Sequence, residues 1–457
     1  MADDPKAVTE ARMQLGARLA ALRAAAGFTQ GTFAPKTYYG RSSIANIETG
    51  RQTAPRTFWA LCDTVLDTGG TLTSEHDRIA RLRITHHINQ PAPAPGPVVV
   101  PGSEIPFHPD AQDLMMQIAA VAAASGMLAG SATAGRRRIA ITDVVRLAAV
   151  ADLYRSVDRE WGGGILTAQL AQLAEAATAW LDPGRAAVDA AARPRLASTV
   201  ADVRMLVGWT AFDAGQYEDS QRHFVLAERA AVSAADPLLT ARIRYCQARQ
   251  FQHRHHNIDA LHTLQFAREA LGTAATPAVL TMLLGAEAAS LAALGQTEAA
   301  LRCLDQASDT FARVIGEREP TWMSFYDIGE LRAQYGRVYR DLARQQRAEQ
   351  RPNVPVRDPG HGADAVRWVR EALAGFDSGN IRSIVLNQVG LCSALLLADD
   401  PDQALSTGAD LLTKAARVSS RRVWERIHNL RRDFGPHHRR ADVAAFGHML
   451  TTGQVST

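Results

Sequence analysis

The chain has 457 residues, 46% of them hydrophobic and 21% charged, which is an ordinary globular balance with core material for two to four domains. Its four cysteines, Cys62, Cys246, Cys303 and Cys392, stand alone without a CxxC pair. That spacing argues against a thiolate zinc site, a dithiol redox centre and a disulfide framework. The 50 Lys/Arg against 47 Asp/Glu leave a formal net charge of only +3, and all of it falls in residues 1–90, which hold 11 basic and 8 acidic residues.

Only Lys6, Lys36 and Lys414 are lysines. That bias fits a GC-rich genome, so arginine number by itself says little. Position says more. Between residues 12 and 60, Arg12, Arg18, Arg23, Lys36, Arg41, Arg51 and Arg56 face Glu48 alone. A patch of this kind suits a polyanion partner or is a solvated helix surface, and charge alone leaves both open.

The N-terminus is charged and has no signal-peptide apolar core. Met13 to Ala26 is amphipathic, with Leu15, Leu19 and Leu22 on one stripe and Gly27 closing it. Thr29 is placed to cap a second helix carrying Gln30, Phe33 and Ala34. A turn follows around Tyr38, Tyr39 and Gly40, then a helix from Arg41 to about Thr49 closed by Gly50, and a further helix with Phe58, Trp59, Leu61 and Val65. Short helices with a tight turn between the second and third make a helix-turn-helix. Seven prolines between Pro91 and Pro109 favour an extended spacer. Leu114 to Gly135 is uncharged and long enough to span a bilayer, but its Ala, Gly, Ser and Thr content reads as packed helix. No membrane association is expected, and a cytoplasmic location is.

Beyond the spacer the chain reads as helix after helix, rich in Ala, Leu, Arg, Gln and Glu. Trp161 followed by Gly162, Gly163 and Gly164 ends a helix, and with no Walker Lys-Ser/Thr after it the triplet is no phosphate loop. Small residues recur at Ser220, Ala260 and Ala300, a period of 40, with an echo from Asp399 to Leu405. Gln350 to Gly362 is too rich in Pro and Gly for helix. His253, His255 and His256 are the densest ligand cluster, but no third carboxylate or thiolate stands near except Asp259, so a solvent-exposed turn is expected and no metal. No GxSxG elbow, HExxH helix or Cys-His setting is present, and neither an enzyme nor a cofactor is expected. Arg417, Arg421, Arg422, Arg426, Arg431, Arg432, Arg439 and Arg440 face only Glu425 and Asp433, as a solvated capping helix or a surface for DNA backbone or a partner.

The segment GFTQGTFAPKTYYGRSSIANIETGRQTAP at 27–55 resembles the Xre/Cro family of DNA-binding domains. Thr29, Gln30, Ala34, Ser42, Ser43, Ile44, Ile47, Glu48 and Gly50 fall in its register. Two positions depart from the family pattern: Tyr38 stands for the turn glycine, and Pro35 lies inside helix two. The resemblance implies a lambda-repressor-like domain whose third helix enters the major groove of double-stranded DNA. Gln30, Arg41, Ser42, Ser43, Ala45, Asn46 and Arg51 are then the DNA-binding residues, with Gln30 buttressing Arg41 and Arg41 pairing with a guanine edge. The 40-residue units resemble degenerate tetratricopeptide (TPR) repeats, best at Gly208, Gly215, Tyr217, Ser220, Phe224 and Ala227. By repeat position Trp209, Arg242, Tyr245 and Arg249 line the inner, concave surface.

The expected architecture is therefore all-α: an N-terminal helix-turn-helix domain at 1–85, a Pro-rich linker at 86–110 and a TPR-like helical solenoid at 111–457. The combination resembles large actinobacterial regulators of development and secondary metabolism and, in layout, the peptide-sensing quorum regulators. It implies a transcriptional regulator, homodimeric, with a peptide or small-molecule effector. The alternative is a TPR-like interaction scaffold whose Xre domain no longer reads DNA.

Overall fold

The structure, a computed structural model, describes residues 6–37, 39–54, 56–89, 137–349, 360–377 and 379–452. Most of the Pro-rich linker, the uncharged stretch from Leu114 to Gly135, and Tyr38 lie outside these residues. The chain is all-α, with nineteen α-helices and one two-stranded sheet among the described residues. It divides into two compact units, one within residues 1–91 and one within 92–457.

In the first unit, α1 (Lys6–Ala25) begins two turns before the amphipathic stretch read from sequence and adds Val8 and Ala11 to the buried stripe of Leu15 and Leu19. Gly27, at φ +76, ends it in the left-handed conformation that glycine adopts without a Cβ clash. Thr29 caps α2 (Gln30–Phe33) in a reciprocal box with Thr32. Pro35 does not bend a helix: α2 ends before it and passes into a 3-10 turn, Ala34–Thr37, which a proline without an N–H tolerates. Then come α3 (Arg41–Glu48), α4 (Arg56–Leu66) and α5 (Thr71–Asn89). Asp63 of α4 accepts the Leu72 and Thr73 amides at 2.9 and 2.8 Å and so caps α5 from outside. His86 and His87, within the span expected as linker, are in α5, which runs to Asn89.

The second unit opens with β1 (Arg137–Ile139), paired in parallel with β2 (Ala186–Val188) through Ile139↔Val188. Between them run α6 (Ile141–Trp161) and α7 (Thr167–Ala179). Three helix pairs follow: α8 (Arg193–Asp213) with α9 (Tyr217–Ser233), α10 (Pro237–His253) with α11 (Asn257–Leu271), and α12 (Pro277–Ala293) with α13 (Thr297–Phe311). The second helices start 40 residues apart, and Ser220, Ala260 and Ala300 are all fully buried where the partner helix approaches. A Cβ on Gly208 would lie 2.6 Å from the Phe224 ring, which is the close packing that only glycine permits there.

Each pair turns through three residues whose middle one has positive φ: Gly215, His255 and Gly295. The amide after it closes a six-residue ring, as in Gln216 N to Ala211 O and His256 N to Phe251 O, both 2.8 Å. The sequence lost its glycine in the second unit, but the turn did not change: His255 takes the left-handed conformation at φ +64. Asp399 does the same, at φ +66, between α16 (Ile381–Leu397) and α17 (Pro401–Ala415). Gly360 to Gly362, read as loop, form the first turn of α15 (Gly360–Gly375), which packs along α14 (Ile328–Glu349).

The array then returns to its start. Ser419 N donates to Trp161 O at 2.8 Å and Gly164 N to Ser419 O at 3.0 Å, so the glycine triplet grips the segment before α18 (Arg421–Asn429). Tyr217 and His253 both hydrogen-bond Glu425 of α18, which therefore lies against the inner helices. The last helix, α19 (Ala441–Thr452), packs on α17.

Candidate nucleic-acid interface and an interior cavity

In the first unit the third helix is split by burial. Ile44, Ile47 and Glu48 face the core, while Arg41, Ser42 and Asn46 are exposed and Ser43 and Ala45 half-buried. Two close approaches fix its position. A Cβ on Gly16 of α1 would lie 2.4 Å from Ile47 O, and Arg12 donates through Nε to Gly50 O at 2.9 Å. The Asn46 carbonyl accepts the amides of Arg51 and Gln52, which places Arg51 just past the end of the helix, exposed.

Glu48, the lone acid of the basic stretch, is turned inward. Arg23 grips it through two nitrogens at 2.5 and 3.1 Å, and Gln30 Nε2 donates to it at 2.7 Å. Gln30 is thus anchored on Glu48 rather than on Arg41. The consequence is electrostatic. With Glu48 held by Arg23, the exposed Lys36, Arg41 and Arg51 face solvent with no ion pair among the described residues, and the exposed Arg18 has Glu75 within electrostatic reach. That Glu48 organises α1, α2 and α3 was not legible from local pattern, because its partners are 25 and 18 residues away.

The second unit contains a partly open cavity of about 400 Å³. Trp209 on α8 and Arg242, Tyr245 and Arg249 on α10 all line it. Arg242 and Tyr245 are buried, Trp209 and Arg249 half-buried, and α14, α16, α18 and the turn at Thr321–Phe325 form the opposite walls. Burial lowers Arg242 to about 10 against the pull of Asp202, and raises the Tyr245 phenol to about 12. Arg242 also stacks on Trp322 at 4.7 Å, and Arg422 on Trp209 at 4.9 Å.

Most of the wall arginines have an aspartate. Arg382 grips Asp158 through two nitrogens, Arg422 reaches Asp213 at 3.1 Å, and Arg242 reaches Asp202 at 3.3 Å. Arg155 pairs with Asp152, and Arg340 with Asp341 at 3.7 Å; behind the wall, Arg344 pairs with Asp433 at 2.7 Å. Asp213 is fully buried; burial would raise its carboxyl, but Arg382 and Arg422 outweigh that and hold it below the usual range.

The basic C-terminal run is therefore neither a solvated cap nor wholly a surface. Arg422 is buried, and Arg422 and Arg426 point into the cavity, whereas Arg417, Arg431, Arg432 and Arg439 are exposed. The buried Val423, Trp424 and Ile427 pin this helix inward. The missed wall residues Arg337 and Arg340 do carry a sequence signal: with Arg344 and Arg347 they recur at three- and four-residue steps on one face of α14. The histidine cluster is also corrected. His253 is not at an exposed turn: its Nε2 lies 2.7 Å from Glu425 and 3.1 Å from the Tyr217 hydroxyl, and burial pushes it down to about 4. The four thiols are buried and pushed up to about 12 by that burial.

Among the described residues no helix is long and apolar enough to cross a membrane. A family model described as a helix-turn-helix domain matches residues 14–75. No curated protein and no solved structure matches the chain.

Proposed function

We propose that the chain is a sequence-specific DNA-binding transcriptional regulator of the Xre type, in which α3 enters the major groove of double-stranded DNA. Arg41, Ser42, Ala45 and Asn46 then meet base edges, with Ser43 at the rim, and Gln30, Arg51, Arg18 and Lys36 take phosphates. The observation that carries this is the split of α3: an apolar and ionically satisfied inner face, and an outer face of Arg41, Ser42 and Asn46 with no acid among them. The helical unit, TPR-like in its paired helices and period, is the sensing and dimerising part, and a peptide or small molecule is its signal. Two copies would present two third helices to half-sites about 34 Å apart. A role in development or secondary metabolism follows from the resemblance of the whole layout.

Gel shift against the protein's own promoter region at moderate salt tests the reading. Saturable binding that survives competitor DNA is expected. Purely non-specific, salt-labile binding would sink it and leave the scaffold reading, as would the absence of shared palindromic sites in a genome-wide pull-down of bound DNA.

A further inference from the structure

The cavity of the second unit is not charge-balanced. Once the arginine–aspartate pairs are set aside, Arg159, Arg249, Arg337 and Arg426 remain on its wall, and Glu330 is the one wall carboxylate left to oppose them. Arg249 hydrogen-bonds Gln252, lies over the Tyr245 ring and faces Glu330 without a direct ion pair, and Arg159 hydrogen-bonds Ser156. Arg337 leaves Nε and Nη1 buried with no acceptor, and Arg340, buried and 3.7 Å from its aspartate, leaves Nε so. Gln334, also buried, leaves its side-chain oxygen without a donor. Burial together with the neighbouring Arg340, Arg249 and Arg422 pushes Arg426 well below the usual arginine range. Buried guanidinium groups without counter-charge are costly, and proteins keep them where something binds.

We propose that this cavity is a binding site for a phosphorylated small molecule bearing a flat ring, its phosphates held by Arg249, Arg337, Arg340 and Arg426. The proposal deepens the reading of the helical unit as a sensor, for which it names the ligand class. The excess of about three positive charges is more than one carboxylate cancels, so the guest carries two or three negative charges in one group, as a diphosphate does. Guanidinium forks match phosphate oxygens and suit such a cluster. Trp322, Phe325 and Tyr245 supply apolar faces for a ring in the same cavity, and the Gln334 oxygen is an acceptor for a ring N–H. The volume of about 400 Å³ suits a small molecule. Arg426 sits on α18 and Arg249 on α10, so a bound anion would cross-link the returning helix to the inner helices of the array.

Titration calorimetry and thermal melting of the full chain test this with ADP, GDP, UDP, adenosine and pyrophosphate as probes. At least one nucleoside diphosphate is expected to bind and raise the melting temperature, with adenosine and pyrophosphate at least about tenfold weaker. Arg426→Gln and Arg337→Gln should abolish that binding and raise the melting temperature of the unliganded protein, because each removes a half-buried cation from a wall crowded with arginines. A merely structural arginine would lower it. Arg249→Gln, at a half-buried position, is the third variant should either of the others fail to fold, and it too should weaken binding about tenfold or more. Three results overturn the proposal: no probe binding up to about 1 mM, binding unaltered in the variants, or pyrophosphate binding as tightly as every nucleoside diphosphate. The gel shift without nucleotide is read separately, so loss of this site and loss of DNA reading are distinguishable.

Discussion

Both units depend on arginine, and they use it in opposite senses. In the first, the acid is turned inward: Glu48 satisfies Arg23 and Gln30 at the core boundary, and the remaining cations are left at the surface. In the second, the cations are turned inward with their aspartates, and the interior rather than the surface carries the excess. Net charge reports the first arrangement and hides the second. Residues beyond 90 are neutral overall, 39 basic against 39 acidic, yet their interior holds a concentration of positive charge. Exposed arginine suits a large polyanion read from outside; enclosed arginine suits a small one that enters.

The sharpest way to break the interior arrangement is at Asp213. Its carboxylate, fully buried, meets Arg422 at 3.1 Å and Arg382 at 3.6 Å and accepts the Gly163 amide at 3.0 Å. Asp213→Ala would strand two guanidinium groups and an amide, and should cost about 3–5 kcal/mol in urea unfolding. Because the folded carboxyl is held low, its contribution is present at neutral pH and lost as pH falls through the folded value.

The next effect is on pH dependence, and it also belongs to the interior. Burial holds His253 down to about 4, whereas an unfolded imidazole titrates near about 6.5. Between those values the unfolded chain takes up a proton that the folded chain refuses. Stability from this group is therefore full above about 6.5 and declines towards 4, by up to about 3 kcal/mol. His253→Gln should flatten that part of the stability–pH curve, measured by denaturant midpoints at closely spaced pH.

At the surface the same type of residue should behave differently. Arg41→Ala should leave the melting temperature unchanged, cost about 1–3 kcal/mol of operator affinity and relax one base preference in gel shifts against mutated sites. Arg18→Ala should weaken all sequences alike and lower the salt slope by about one. If Arg41→Ala instead unfolded the domain, the division between exposed and enclosed arginine would fail there.

How far the sequence disclosed this depends on the range of the interactions. The helix-turn-helix was legible because its signals are local: Thr29 as cap, Gly27 and Gly50 as stops, and Ile44 and Ile47 three apart on one face. The helix pairs were legible for the same reason, through small residues at a fixed period. The sequence placed Trp209, Arg242, Tyr245 and Arg249 on one inner surface, and all four do line one cavity. What closes that cavity was not legible. Tyr217 meets Glu425 across 208 residues and Arg382 meets Asp158 across 224, and no periodicity encodes such contacts. Within the basic run from Arg417 to Arg440, the inward turn of Arg422 was not legible because its partner Asp213 is distant in sequence. The buried apolar set Val423, Trp424 and Ile427 was the signal that could have turned α18 inward.

The smallest effect concerns the turns that both glycine and non-glycine residues close. Ala235 sits at φ +52 between α9 and α10, exposed, with Asp236 N bonded back to Ala231 O at 3.0 Å. The geometry is that of Gly215 and Gly295, but alanine carries a Cβ that crowds the carbonyl in the left-handed region, a strain of roughly 1 kcal/mol. Ala235→Gly removes that strain and removes no buried contact, since the side chain faces solvent. Against it, glycine gives the unfolded chain more freedom, which offsets part of the gain. The net expected outcome is a stabilisation of a few tenths of a kcal/mol to about 1 kcal/mol, read as a small rise in urea midpoint. His255→Gly is the companion variant. His255 Nε2 lies 3.1 Å from Arg432 Nη1, a contact that glycine would lose, so its gain should be smaller than that of Ala235→Gly. A loss of stability in Ala235→Gly would mean that the turn is not left-handed, and the shared geometry of the helix pairs would have to be redrawn.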